Sequence, residues 1–250
     1  MRPAMVTATM PRGRLRPENL FFSGMALAIL ASVFVGFART YYLAGIFRAP
    51  LPNLLIHIHG AAFSLWIVLF VTQTSLVAAG RTDVHRRLGL VGFGLAAVMV
   101  VLGVLAATDE LGRRWDEPDR LTFYLIPLTD MLLFSILVYS AFRQRRNPAA
   151  HKRLILIATI GLLGAAVARW PVHAAWWDFA AVQMACYAPL LALALYDFRT
   201  TGRVHRATIW ASVLLVVVQQ ARLPVSRSEV WQSLATRVQR LVTPSSAGGP

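Results

Sequence analysis

Seven long apolar blocks punctuate this chain, near Leu20–Ala38, Leu54–Ala79, Leu88–Ala107, Leu121–Phe142, Leu154–Trp170, Phe179–Phe198 and Ala207–Ala221. A helix that crosses a hydrocarbon layer about 30 Å thick needs about 20 largely apolar residues, and each block comes close to that length. Barrel strands would instead alternate apolar and polar residues over about ten positions. These runs do not alternate. The fold class that follows is all-α: a polytopic membrane bundle of about seven transmembrane helices. Composition agrees, with 57% hydrophobic and 14% charged residues against about 45–50% and about 25% in soluble domains. Disordered, collagen-like and ordinary soluble enzyme classes are poor fits. The single cysteine, Cys186, excludes an intramolecular disulfide and any cluster of thiolates.

The sequence divides into a basic tail over 1–19, a membrane domain over 20–221 and a C-terminal segment over 222–250. The first block exceeds the 7–15 apolar residues of a cleavable leader, so it reads as a retained span. Connections of at most about 15 residues are too short to bury a core of their own. Chemistry is therefore expected inside the bundle or on its surface.

Arginine sets the orientation. Alternating the spans puts fifteen Lys and Arg on the side of the N-terminal tail (Arg2, Arg12, Arg14 and Arg16 among them) and six in the opposite loops. The positive-inside rule then predicts a cytoplasmic N-terminus and an outward C-terminus. The formal charge of +14 is assigned to the lipid bilayer, through anionic headgroups at the inner loops, and not to nucleic acid. The acidic stretch Asp109, Glu110, Asp116, Glu117 and Asp119 reads as a solvated outer loop. Beyond Pro224, Ser226-x-x-Glu229 resembles a capping box, and Val230, Leu234, Val238, Leu241 and Val242 recur at helical spacing beside Trp231. An interfacial amphipathic helix is expected there, with a disordered end over 245–250.

His85-Arg86-Arg87, His151-Lys152-Arg153 and His205-Arg206 each open a span on the inner side. These three histidines stand at one depth, as interface anchors or as a ligand layer. Ionisable groups deeper in the membrane are functional candidates by default. His59 shares a helix face with Phe63, Trp66, Phe70 and Gln73, whereas His57 points nearly the opposite way, so the two cannot chelate one ion. Asp130 lies near mid-membrane, one turn after Pro127, and simple depth counting pairs it with Arg169. His173 follows Arg169 by four residues, with Pro171 between. Small-residue stripes (Gly89, Gly92, Ala96, Gly103; Ala158, Gly161, Ala165, Ala168) suit close helix packing.

A retinal protein is excluded, because the only lysine, Lys152, is not in the last span. No metal-ligand set, phosphate loop or catalytic triad stands out. With His59-Gly60, Phe63, Trp66, the His85-Arg-Arg-Leu-Gly run, Asp130, His151-Lys-Arg-Leu and Arg169-Trp-Pro on view, residues 40–220 resemble a group of bacterial multi-helix membrane proteins of unknown function. That likeness implies the bacterial inner membrane and no particular activity. The His-Gly pair followed by tryptophan is also similar to one hairpin of transmembrane b-type cytochromes. Three functions are carried forward. The first is a non-catalytic membrane component. The second is a haem b electron-transfer protein, with His59 and His173 as axial ligands and Arg169 on a propionate. The third is a proton or small-solute carrier centred on Asp130, with Pro127 and Pro189 bending the path.

Overall fold

The computed structural model describes residues 17–50, 52–114, 116–174 and 176–243. The expected basic tail before residue 17 and the expected disordered end over 245–250 lie outside these residues. Among them there is no strand, and seven helices are long and apolar enough to cross a membrane. The chain is a multi-pass membrane protein. Its spans are built on α1 (Pro17–Phe37), α2 (Leu54–Ala78), α3 (Thr82–Arg113), α4 (Arg120–Arg143), α5 (Pro148–Gly161), α6 (Phe179–Thr201) and α7 (Arg206–Ser226), the first running on to Tyr42 and the fifth to Val167; α8 (Glu229–Val242) follows.

Helix starts are fixed by side chains that accept from otherwise unpaired backbone N–H groups. Asn53 Oδ1 caps α2 by accepting from Ile56 N at 2.9 Å, and Asp178 caps α6 by accepting from Ala181 N at 2.9 Å. The N-cap of α7 is His205, whose Nδ1 accepts from Ala207 N at 3.0 Å. Past α1 the chain makes one wider turn over Ala38–Tyr42, in which Leu43 N bonds to Ala38 O. Tyr41 then donates to the His57 carbonyl, and Tyr42 pairs with Ser64 at 2.8 Å.

α5 is the most enclosed span. It packs on α4 and α7, and a short continuation over Gly164–Val167 packs on α1. Leu133, Phe134 and Leu137 of α4 and Leu156, Ile157 and Ile160 of α5 are all at most 2% exposed. They form the apolar middle of the bundle. Trp66 of α2 reaches this layer, edge-on to Phe134, and donates from Nε1 to Thr159 Oγ1 at 3.2 Å.

Three segment boundaries differ from the sequence reading. α3 runs on to Arg113, so Asp109 and Glu110 belong to a helix end and not to a loop. Arg113 pairs there with Asp109 at 2.9 Å, at helical spacing. α7 continues through Pro224 to Ser226, which brings Arg222 inside the seventh span instead of the C-terminal segment. The cap of α8 is Ser228, accepting from Trp231 N at 3.3 Å, and not Ser226, which is buried. The expected stripe on α8 also splits. Val238 packs toward the bundle with Trp231, whose Nε1 donates to the Leu121 carbonyl, while Val230, Leu234 and Leu241 remain exposed.

Candidate functional site

A carboxylate in hydrocarbon needs a partner, and Asp130 finds it on α7. The Arg222 guanidinium bridges to Asp130 through Nη2 and donates from Nε to Thr129 Oγ1 at 2.7 Å. Thr129 in turn donates to carbonyls of its own preceding turn, at 2.9 Å. The bridge is mostly enclosed, with side-chain exposures of 9% for Arg222 and 19% for Asp130. Nearby, Gln183 of α6 donates to Gln219 of α7 at 2.7 Å, and buried Cys186 of α6 lies within electrostatic reach of Asp130. These residues tie α4, α6 and α7 together in the half of the bundle nearer α8.

The expected Asp130–Arg169 pair is not formed. Arg169 lies past the end of α5, donates to the Ala165 carbonyl at 2.6 Å and sits 5.0 Å from the Phe37 ring centre. The extra turn of α7 explains the difference, since α7 packs on α4 and carries Arg222 to the level of Asp130. Asp130 alone signals that a partner must exist. Ending the seventh block at Ala221 left Arg222 in the C-terminal segment and hid which one.

A second ion pair closes the arginine-rich end. Arg153 of α5 and Asp197 of α6 are 5% and 0% exposed. Arg153 Nε donates to both Asp197 oxygens at 3.0 and 3.2 Å, and its Nη1 donates to the Ala149 carbonyl at 2.7 Å. Asp197 also accepts from Thr208 Oγ1 at 2.6 Å and from His205 N at 3.1 Å. The carboxylate is fully satisfied and joins α5, α6 and the start of α7. Asp197 passed unnoticed in the sequence because it stands one turn before a helix end, where a charged residue is ordinary.

The histidines fall into separate settings. His59 stacks on Phe63 with centroids 4.2 Å apart, and its buried Nδ1 has no hydrogen-bond partner. His173 is exposed in the connection between α5 and α6, and no ring contact joins it to His59. The glycine of the His-Gly pair has a packing role: a Cβ on Gly60 would fall 2.8 Å from the Tyr41 ring. His205 is occupied in capping α7. Burial holds its pKa below the ordinary value of 6.5, with the nearby Arg153 charge acting the same way. His85 and His151, by contrast, come together, with ring centres 6.4 Å apart. Gln73 is close by, its side chain next to Gly89 and its Oε1 buried without a partner.

No family model matches this chain, and no curated protein or solved structure matches it either. Residue roles therefore rest on geometry. Among the described residues no group of three or more His, Cys, Asp or Glu is placed to hold a metal ion.

Proposed function

We propose that this protein is a non-catalytic membrane anchor: a component of the bacterial inner membrane, N-terminus in the cytoplasm, that assembles with partner proteins. One observation carries the reading. Two mostly buried ion pairs, Asp130–Arg222 and Arg153–Asp197, each join different helices, and the apolar Leu133, Phe134, Leu137, Leu156, Ile157 and Ile160 layer separates them. A carrier or channel needs polar groups or water along its path, and an apolar constriction excludes both. Charges used this way hold spans in register and leave the bundle surface for partners. The arginine-rich end suits contact with anionic headgroups, at about 1 kcal/mol per basic residue near the surface.

Proton flux in proteoliposomes tests the proposal, with a pH-sensitive dye trapped inside and a pH step outside. The parent and Asp130→Asn should both match empty vesicles. A parent flux well above that baseline, lost in Asp130→Asn, would overturn the anchor reading and favour the carrier centred on Asp130. In native membranes the anchor should migrate in a species heavier than its purified form. Disrupting the Asp130–Arg222 bridge should weaken that species.

A further inference from the structure

Toward the arginine-rich end, α3 and α4 part and leave a groove of about 430 Å³ between them. Its walls include Phe93, Ala97 and Val100 of α3 and Phe134, Val138 and Phe142 of α4. Residue size along the contact explains the gap. On the far side of the groove the helices close up, because Gly103 lets the Met131 side chain lie against the α3 backbone. At the arginine-rich end the Phe93 and Phe142 rings meet edge-on, with centres 4.7 Å apart. Between these two contacts α3 offers the small side chains of Ala96 and Ala97, which leave the space unfilled. The rim faces outward: Ala97 is exposed, and so is Tyr139, at 63%.

The wall calls for an apolar occupant. Ser135, which also lines the groove, spends its hydroxyl on the Met131 carbonyl at 2.6 Å. The volume falls within the roughly 300–1,000 Å³ of small-molecule sites. From Phe93 to Val100 the helix rises about 10 Å, which fits inside one leaflet of a hydrocarbon core about 30 Å thick. The mouth is charged. Arg145 stands 4.3 Å from the Phe142 ring centre and donates from Nη1 to the Phe142 carbonyl at 3.1 Å, so its charge is held at the groove's end. Arg86 precedes Phe93 by seven residues, two turns back along the same face of α3. Both arginines are exposed, and among the described residues neither forms an ion pair. Two uncompensated guanidiniums above an apolar slot match a molecule with a phosphate at one end and an acyl chain at the other.

We propose that the groove between α3 and α4 is a binding site for one anionic phospholipid. One acyl chain lies along Phe93, Ala97 and Val100, and the phosphate meets Arg86 and Arg145. An apolar slot without cations would accept any lipid of the bilayer, so the arginines supply the selectivity and the slot supplies the position. The site deepens the headgroup contact of the anchor reading and on that point rests on it. Lipid retention by the purified protein is measured apart from flux and assembly, so either reading can fail alone.

The purified full-length protein in detergent is titrated with phosphatidylglycerol and, separately, with phosphatidylcholine of the same chains, and retained lipid is counted by native mass spectrometry. Phosphatidylglycerol should be retained at one equivalent, about thirtyfold more tightly than phosphatidylcholine. Glycerol phosphate, which lacks the chains, should not displace it. Arg86→Gln and Arg145→Gln should each weaken phosphatidylglycerol about fivefold and leave phosphatidylcholine unchanged. Ala97→Trp fills the groove from an exposed position and should abolish the one-equivalent binding of either lipid. Arg227→Gln, at the opposite end, should change nothing. Circular dichroism establishes that each variant is folded. Equal retention of the two lipids, retention indifferent to Arg86→Gln and Arg145→Gln, or displacement by glycerol phosphate would overturn the proposal. Unchanged retention in Ala97→Trp would place the lipid on surface charge alone and overturn the groove as its site. If that variant also lost the heavier species of native membranes, the groove would belong to a partner helix instead.

Discussion

A guanidinium stripped of its carboxylate inside a bilayer is worse off than no guanidinium at all, and this makes the Asp130–Arg222 bridge an unequal target for mutation. Asp130→Ala strands Arg222 and should destabilise the bundle by about 3–5 kcal/mol. The double variant Asp130→Leu with Arg222→Met removes both charges and keeps apolar volume, so it should recover most of that loss. Thermal unfolding in one detergent, compared across the three proteins, checks the order. A different dependence belongs to His205, whose neutral Nδ1 is the acceptor that caps α7. Its folded pKa lies below the unfolded value of 6.5, so the neutral ring is the form that folding favours. The stability it contributes is complete above that value and is lost as pH falls through the lower folded value. Between about pH 7.5 and about pH 5 the parent should lose more thermal stability than His205→Asn, which caps without titrating.

Helix contacts in this bundle depend on how closely backbones approach. A Cβ on Gly36 of α1 would fall on the backbone carbonyl of Ala166, which cannot move aside, whereas one on Gly103 of α3 would meet the flexible side chain of Met131. Gly36→Ala should therefore cost about 1–3 kcal/mol and Gly103→Ala less, read as the shift in denaturation midpoint. The apolar runs revealed how many spans exist and roughly where, because crossing a bilayer imposes a length. Their ends were not legible in the same way. α3 gains a charged last turn because Arg113 and Asp109 neutralise one another along the helix, which a hydropathy reading treats as loop. α7 runs on two residues past Pro224, which has no N–H to donate to the preceding turn, so the proline does not mark the helix end where a sequence reading would put it. Of the candidate site, the shared His-basic motif at residues 85 and 151 was visible in the sequence. The approach of those two rings was not, because it depends on α4 packing against both α3 and α5. Nor was the Arg153–Asp197 pair, whose members are 44 residues apart.

Across the whole molecule, the two ends differ in chemistry: arginine-rich turns at one, acidic helix ends and α8 at the other. Because the only native thiol, Cys186, is buried, cysteines introduced singly at exposed Thr201 and exposed Ser233 give a clean test of orientation. A membrane-impermeant maleimide added to intact cells should label Ser233→Cys and spare Thr201→Cys until the membrane is permeabilised. Asp130 and Arg222, finally, are 92 residues apart along the chain. At a synthesis rate of about 5–20 residues per second, the fourth span waits roughly 5–20 seconds for the seventh to leave the ribosome. Throughout that interval a membrane-inserted acid has no counter-charge. Nascent chains released before Arg206 should therefore be unstable and short-lived despite carrying six intact spans, because the bundle closes only when its last helix arrives.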